Sequence, residues 1–282
     1  MIDMRFHLPA SDLRRLVSSY YILDFDVPVF TDILQAEQAN VRFAVKGRYD
    51  ISITGTATKG VYTGAMFFGP RSQPLVMRAE GPGRVFGVGL LPMGLEALAR
   101  VSAHEVINVI EPMDAIAGSL AETTMEMMSA ADGDGQVCEI ANYFFRAVAE
   151  RTTRRAGGFQ NSVERWLTDA DDPQVDTLVA LCDVSARQVE RLTRAYFGIS
   201  PKFLARKSRA LRAAAKLRLN PQLGWTDVAG PGFYDQSHFI REFRAFTGMT
   251  PTHFAAVKSP AMGQSLKKRN EQRLISPLSL LT

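Results

Sequence analysis

Between Tyr20 and Leu91 the apolar residues come in short runs broken by Gly, Pro and Asp: SSYYILDFDVPVF, NVRFAVKGRYDISITG, VYTGAMFFGP and PLVMRAEGPGRVFGVGLLP. Alternation is clearest at Tyr49, Ile51 and Ile53 and again from Val85 to Leu90, and turn signals recur about every ten residues. That pattern predicts a small antiparallel β-barrel or sandwich. After Pro92 the period lengthens to that of helices, in MGLEALARVSAHEVINVI and MDAIAGSLAETTMEMMSA. The loop Asp-Gly-Asp-Gly at 132–135 interrupts them, and QVCEIANYFFRAVAERTTRR then runs to Gly157-Gly158, the predicted domain junction.

From 160 to 257 the period is helical almost throughout. Asn161 or Ser162 can cap a first helix ending near Leu167, and Asp172-Pro173 can start a second that carries Val175, Leu178, Val179 and Leu181. After the turn Cys182-Asp183-Val184, Ser185 and Gln188 form the S-x-x-Q capping pattern of a third helix. Val189, Leu192 and Tyr196 are its expected packing stripe, with Arg187, Arg191 and Arg194 on another face. Gly198 is the expected stop, and Pro201 opens a helix over 202–219 with Leu204, Leu211, Ala214, Ala215 and Leu217 on its apolar side.

The text then repeats itself. RAYFGISPKF at 194–203 and RAFTGMTPTH at 244–253 stand 50 residues apart, and the same offset pairs Ser185 with Asp235, Gln188 with His238 and Arg191 with Arg241. The second copy begins at Trp225, turns at Gly230-Pro231-Gly232, restarts at Asp235 and packs through Phe239, Phe243 and Phe246. The remaining segment, with Lys267-Lys268-Arg269 and the ending LISPLSLLT, reads as a tail of low order.

Charge sharpens the division. The chain of 282 residues carries a net charge of +4, but residues 1–150 hold 12 Lys/Arg against 18 Asp/Glu and residues 151–282 hold 21 against 11. A basic half joined to an acidic one points to a polyanionic partner for the former. Cys138 and Cys182 stand apart from each other and from any metal-ligand spacing, which predicts reduced packing thiols. The N-terminal text MIDMRFHLPASDLRR lacks the pattern of a signal peptide, and no apolar run reaches the roughly 18–20 residues of a membrane span. A cytoplasmic protein with no membrane partner is expected.

A short helix, a tight turn and a capped second helix bearing Arg and Gln is a helix-turn-helix pattern, and two of them on one connecting helix suit double-stranded DNA. The second helix of each unit fits the major groove, where Arg bonds guanine O6 and N7 and Gln the edge of adenine, and successive groove segments on one DNA face lie about 34 Å apart. Expected contacts are Arg187, Gln188, Arg191, Gln236, Ser237, His238 and Arg241, with the caps Ser185 and Asp235 beside them. Arg194 lies on the same surface, although it and Arg244 can equally pair with Glu190 and Glu242. Arg209 is expected to brace the bundle, and Tyr196, Phe197, Phe233, Phe239, Phe243 and Phe246 to be core.

The stretches LVALCDVSARQVERLTRAYFGISPKFLARKSRALRAAAKL and DVAGPGFYDQSHFIREFRAFTGMTPTHF resemble the DNA-binding domain of AraC/XylS-type transcription regulators, over about 100 residues. The resemblance implies a helical bundle with recognition helices near 185–197 and 235–247, linked by 202–219. It also implies an activator, with RNA polymerase as a partner and no cofactor. More loosely, the N-terminal half is similar to the cupin-like sensor domains that precede this module, where a small-molecule effector or a homodimer contact sets activity. The expected fold is therefore α+β in two domains: a cupin-like β-barrel over 1–112, a helical linking or dimerisation segment over 113–158, the tandem helix-turn-helix bundle over 159–257 and a tail over 258–282. Two departures stand out. Val179 occupies a position where the family usually has Ala, and Pro231 in Gly230-Pro231-Gly232 ends the helix before the second recognition helix early. The first unit is thus expected to supply most base readout and the second mostly phosphate contacts.

Within the barrel, Phe43, Val45, Ile51, Ile53, Met66, Phe68 and Val88 are candidates to line a sensing cavity, and the same residues would serve as plain core. Two other classes stay open: a constitutive DNA-binding protein without a ligand, and an enzyme with a catalytic barrel. Against the enzyme, His7, His104, His238 and His253 are scattered without a metal-ligand pattern, Gly87, Gly89 and Gly94 lack the Lys-Ser/Thr of a phosphate loop, and neither cysteine sits in a reactive motif.

Overall fold

The computed structural model describes residues 1–150 and 157–257; the tail and its basic triplet fall outside them. Seven strands form one antiparallel sheet: β1 (Ile2–His7), β2 (Val17–Phe25), β3 (Val29–Leu34), β4 (Asn40–Ile53), β5 (Lys59–Phe68), β6 (Leu75–Leu90) and β7 (Ile110–Pro112). Their order is β1-β2-β6-β4-β5-β7, with β3 pairing the first half of β6 and β2 its second half. The sheet is open and not the closed barrel expected from the turn spacing. The strands at its two ends, β1 and β7, do not pair with each other, so the sheet does not close.

On one face lie Tyr20, Ile22, Val41, Phe43, Phe67, Phe86 and Val88. They pack on α1 (Pro92–Ala99), α2 (Met113–Ala117), α3 (Ser119–Ser129) and α4 (Asp134–Ala149). Phe144 of α4 meets the Phe43 ring edge-on, 6.2 Å between centroids, and the buried Asn142 accepts hydrogen bonds from Tyr20 Oη and the Ala10 amide at 3.0 and 3.1 Å. The opposite face carries Met4, Phe6, Leu23, Phe25, Tyr49, Ile51, Ile53, Met66, Phe68, Leu75 and Met77. What switches β4 from one face to the other is an irregularity between Ala44 and Tyr49, where Gly47 adopts φ +98°. A bulge shifts side-chain parity by one residue. The expected cavity residues are consequently divided: Phe43, Val45 and Val88 point to α1–α4, while Ile51, Ile53, Met66 and Phe68 point the other way.

Residues of this second face pack on one another across strands, as Phe25 does on Phe30 and Tyr49, and share their core with the C-terminal region, which contains α5 (Gly157–Asp169), α6 (Val175–Cys182), α7 (Ala186–Phe197), α8 (Pro201–Leu219), α9 (Trp225–Ala229), α10 (Gln236–Thr247) and α11 (Pro251–Ala256). Gly157 and Gly158 open α5 and do not form a free junction loop, so the expected caps Asn161 and Ser162 lie inside the helix. Likewise α6 begins at Val175, two residues past Pro173, with no side-chain cap. Ala213, Ala214 and Leu217 of α8, Phe239 and Phe243 of α10 and Phe254 of α11 share one apolar core with the sheet.

Three polar contacts pin this docking. The Ala36 amide donates to Phe246 O at the end of α10 (2.9 Å), and the Ala103 amide to Ala195 O near the end of α7 (2.8 Å). Between them Lys207 of α8, 1% exposed, donates from Nζ to Glu37 O and Arg71 O at 3.1 and 3.0 Å. The N-terminal half therefore grips the ends of two helices and the middle of the helix that joins them.

Burial, reinforced by Arg71 and opposed by Glu37, pushes the Lys207 ammonium down to about 7 from the ordinary 10.5. Below pH 7 the cost of burying its charge is fully present. Between about pH 7 and 10 the unfolded chain binds the proton that the folded one has released, so stability rises with pH across that window. The thermal midpoint of the protein should climb from pH 7 to pH 9 relative to that of Lys207→Met, followed by circular dichroism. Parallel profiles would show that this lysine is not buried as a neutralisable group.

Candidate nucleic-acid interface

Helices α7 and α10 are built alike, and the chemistry of their ends explains why. Ser185 Oγ accepts the Gln188 amide at 3.3 Å and Asp235 Oδ1 accepts the His238 amide at 2.7 Å, so each helix starts with a side chain satisfying an otherwise unpaired N–H. Each ends on a glycine at φ +79°, Gly198 and Gly248, whose amides return to Arg194 O and Arg244 O at 3.0 and 2.9 Å. The next helix in each copy is capped in turn, by Ser200 onto Phe203 and by Thr250 onto His253, with Pro201 and Pro251 in the first turn. The 50-residue repeat is a repeat of helix boundaries.

Between those boundaries the buried stripe of α7 is Val189, Thr193 and Phe197. Leu192 and Tyr196, expected in the core, are half-buried, because the helix is rotated so that Thr193 Oγ1 bonds back to Val189 O at 2.8 Å inside the bundle. In α10 the buried set is Phe239, Glu242, Phe243, Phe246 and Thr247. Ser185, Arg187, Gln188, Arg191 and Arg194 of the first unit are exposed, as are Asp235, Gln236, Ser237 and Arg241 of the second. His238 is half-buried, its ring 5.8 Å from that of Phe233. The Tyr234 amide donates to its Nδ1 at 3.3 Å, which leaves Nε2 as the proton-bearing nitrogen of the neutral ring.

The cations sort into two groups. Arg194 pairs with Glu190 at 2.9 Å along the helix. Glu242 is instead taken by Arg206 of α8 in a two-pronged pair at 2.8 and 2.6 Å. Burial alone would raise the Glu242 carboxyl, and the Arg206 guanidinium outweighs it, holding the group below the ordinary carboxylate range. Arg209 pairs with Asp172 as a brace, Arg212 donates to Leu167 O, Ala170 O and Asp171 O, and Arg218 to Val257 O. Arg209 braces the bundle as expected, and Arg206, Arg212 and Arg218 of α8 are likewise spent on holding helices together. Arg187, Arg191, Arg241 and Arg244 have no carboxylate partner among the described residues, and Lys202 is exposed. A cleft of about 610 Å³ between the two units is lined by Pro173 to Asp176, Lys202, Arg206, Arg209, His238 and Arg241. Free cations thus sit on the exposed sides of α7 and α10, with Lys202 and Arg241 on the cleft.

One exposed residue was not anticipated. Tyr234, 95% exposed, stands immediately before the Asp235 cap, and its only sequence signal was an aromatic outside the helical stripe. The two turns also differ. Three residues, Asp183 to Ser185, connect α6 to α7, whereas α9 stops at Gly230 (φ +68°) and six residues precede α10.

The remaining expectations fall on ordinary structure. His7 lies 3.3 Å from Asp134 and His104 Nδ1 3.3 Å from Gly198 O. Burial raises both the Cys138 thiol, to about 11, and the Cys182 thiol. Among the described residues no helix is long and apolar enough to cross a membrane and no group of three His, Cys, Asp or Glu is placed to hold a metal ion.

Comparison with known proteins agrees with this geometry. Residues 178–256 match a family model described as a helix-turn-helix domain, and residues 5–111 match one described as a domain of unknown function, DUF6597. No curated protein matches the chain. Among solved structures, ToxT from Vibrio cholerae superposes with a TM-score of 0.48 at 9% identity, over 90% of this chain and 97% of that one. ToxT from Vibrio cholerae O395 bound to (E)-4-(8-methylnaphthalen-1-yl)but-3-enoic acid gives 0.47 at 11% identity, over 90% and 97%. CuxR, described as an AraC-like transcriptional activator, gives 0.30 at 15% identity, over 74% and 86%. With two capped basic helices at a 50-residue offset inside the matched region, the C-terminal half is a tandem helix-turn-helix domain of the AraC type, the DNA-binding domain of a transcription regulator.

Proposed function

We propose that the protein activates transcription from specific double-stranded sites, with the exposed first turns of α7 and α10 entering successive major-groove segments. The observation that carries this is the pairing of free side chains with matched caps: Arg187, Gln188 and Arg191 follow Ser185, and Gln236, Ser237, His238 and Arg241 follow Asp235. Arg187 and Gln188 have the bidentate chemistry for guanine and adenine edges, and His238 offers an Nε2–H. Arg241 and Lys202 line the cleft beside the second unit, which suits them to phosphate oxygens, with Tyr234 free to reach the same backbone. Arg194, held by Glu190, acts as a phosphate contact and orienter.

The N-terminal half is on this reading the regulatory half, cupin-like in its antiparallel sheet but open, and it controls how the two helices are presented. Its candidate pocket residues serve chiefly as core on two opposite faces, so sensing is assigned to the sheet's contact with α8 and not to a barrel interior. Self-association and contact with RNA polymerase belong to the same reading.

Selection of binding sites from random duplexes tests the division of labour. Arg187→Ala and Gln188→Ala should relax the preferred bases in one half of the site, each costing about 1–3 kcal/mol of discrimination, whereas Gln236→Ala should shift the consensus little. A consensus that changes only with the second unit would reverse the assignment. Affinity should also fall steeply with salt, and Lys202→Ala should reduce the slope of log K against log salt by about 0.9 without altering base preference. An unchanged slope would remove Lys202 from the phosphate contacts.

A further inference from the structure

The second helix-turn-helix unit leaves an apolar groove open. Among the described residues of the C-terminal region, the large apolar side chains left exposed are Leu219, Leu223, Trp225 and Tyr234. Leu223 and Trp225 line a groove of about 520 Å³ between the end of α8, α9, α10 and α11. Leu217 and Val228, both buried, form part of its lining, and Ile240 of α10 and Ala255 of α11 add to its walls. Such a groove releases water favourably to an apolar occupant.

The chain itself leaves from one of those walls. Helix α11 lines the groove through Pro251, Thr252 and Ala255, and Val257 follows directly. Arg218, at the end of α8, holds that exit. Its Nη1 donates to Val257 O at 2.7 Å, and its guanidinium carbon lies 4.1 Å from the centroid of the Phe254 ring. The sequence then runs through 16 residues, 258–273, to Leu274-Ile275-Ser276-Pro277-Leu278-Ser279-Leu280-Leu281, which carries five aliphatic side chains and no charge. At ~3.3 Å per residue the connection can span about 50 Å, so reach does not limit the segment. The tether also presents the segment to the groove at an effective concentration of about a millimolar. Pro277 removes one N–H that a docked backbone would have to satisfy, and Gln236 and Thr252 on the groove offer polar partners for others. We propose that this groove is the docking site of the chain's own segment 274–281.

Docking bears on DNA reading through Gln236. This residue stands in the first turn of α10 and borders the groove, so the docked segment shields one of the second unit's candidate base contacts. That consequence rests on the proposed entry of α10 into the major groove, and it fails separately from the docking.

Trp225 is a built-in probe of the groove, because the other tryptophan, Trp166, is 1% exposed and its Nε1 donates to Gln174 O at 2.7 Å. Acrylamide quenching of tryptophan emission is read on the full-length protein and on Leu278→Asp/Leu280→Asp, whose changes lie outside the helices that form the groove. The quenching constant should rise about two-fold in the variant, and a synthetic peptide of residues 270–282 at about 1 mM should restore the native value. The same peptide carrying both aspartates should not. Equal quenching of the native protein and the variant, or no restoration by the native peptide, would overturn the docking. Protection of Trp225 that is lost on dilution of the native protein would give the groove to a second copy and overturn it as well. In selection from random duplexes, Gln236→Ala should change the consensus more in the Leu278→Asp/Leu280→Asp background than in the native chain. An equal effect in both would keep the docking and overturn the shielding of Gln236.

Discussion

A lysine from the DNA-reading half is buried in the other half, and the layout of the molecule follows from that placement. Lys207 lies near the middle of α8, and its Nζ reaches carbonyl oxygens at Glu37 and Arg71. Burying an ammonium is costly, and more so without polar partners, so the carbonyls of Glu37 and Arg71 favour one seat and one rotation of α8. With that rotation Ala213, Ala214 and Leu217 join the apolar core shared with α10 and the strands, and Arg206 and Arg209 hold α10 and the segment before α6. Because α7 and α10 lead into and out of the bundle that α8 organises, their relative placement is fixed at the same point.

The consequence for DNA chemistry is an economy of cations. A region that carries 21 Lys/Arg over residues 151–282 reads as a diffuse basic surface. In the folded protein α8's arginines are engaged with carboxylates or backbone carbonyls of neighbouring segments, and releasing one would leave its partner unpaired. Those left free include Arg187 and Arg191 on α7, Arg241 and Arg244 on α10, and Lys202 on the cleft beside α10. Charge that holds the bundle and charge left free for a partner are therefore different residues, and a change to one group need not disturb the other.

Much of the C-terminal architecture was legible because its signals are local. Capping residues, positive-φ glycines and first-turn prolines act within four residues of their targets, so Ser185, Asp235, Gly198, Gly248, Pro201 and Pro251 announce helix ends without tertiary information. The N-terminal half was harder. Alternation marks strands well, but a bulge at Gly47 flips parity without a strong sequence signature, and Ile51 and Phe43, eight positions apart, end on opposite faces. The open sheet went unread for a related reason: turn spacing is the same whether the first and last strands of a sheet pair with each other or not. Least legible was Lys207, one cation among several on a helix, whose burial depends on a partner more than 130 residues away.

The central claim is that the N-terminal half holds both recognition helices through direct backbone contacts, and amide hydrogen exchange measures it most directly. The Ala36 and Ala103 amides lie in connecting segments, yet they donate to Phe246 O and Ala195 O. In the full-length protein both should exchange orders of magnitude more slowly than an open peptide, with similar opening free energies, because one docking event protects them together. Exchange of both at the rate of exposed loop amides, while the amides of α8 remain protected, would mean that the two halves are not clamped, and the account of helix presentation would fall.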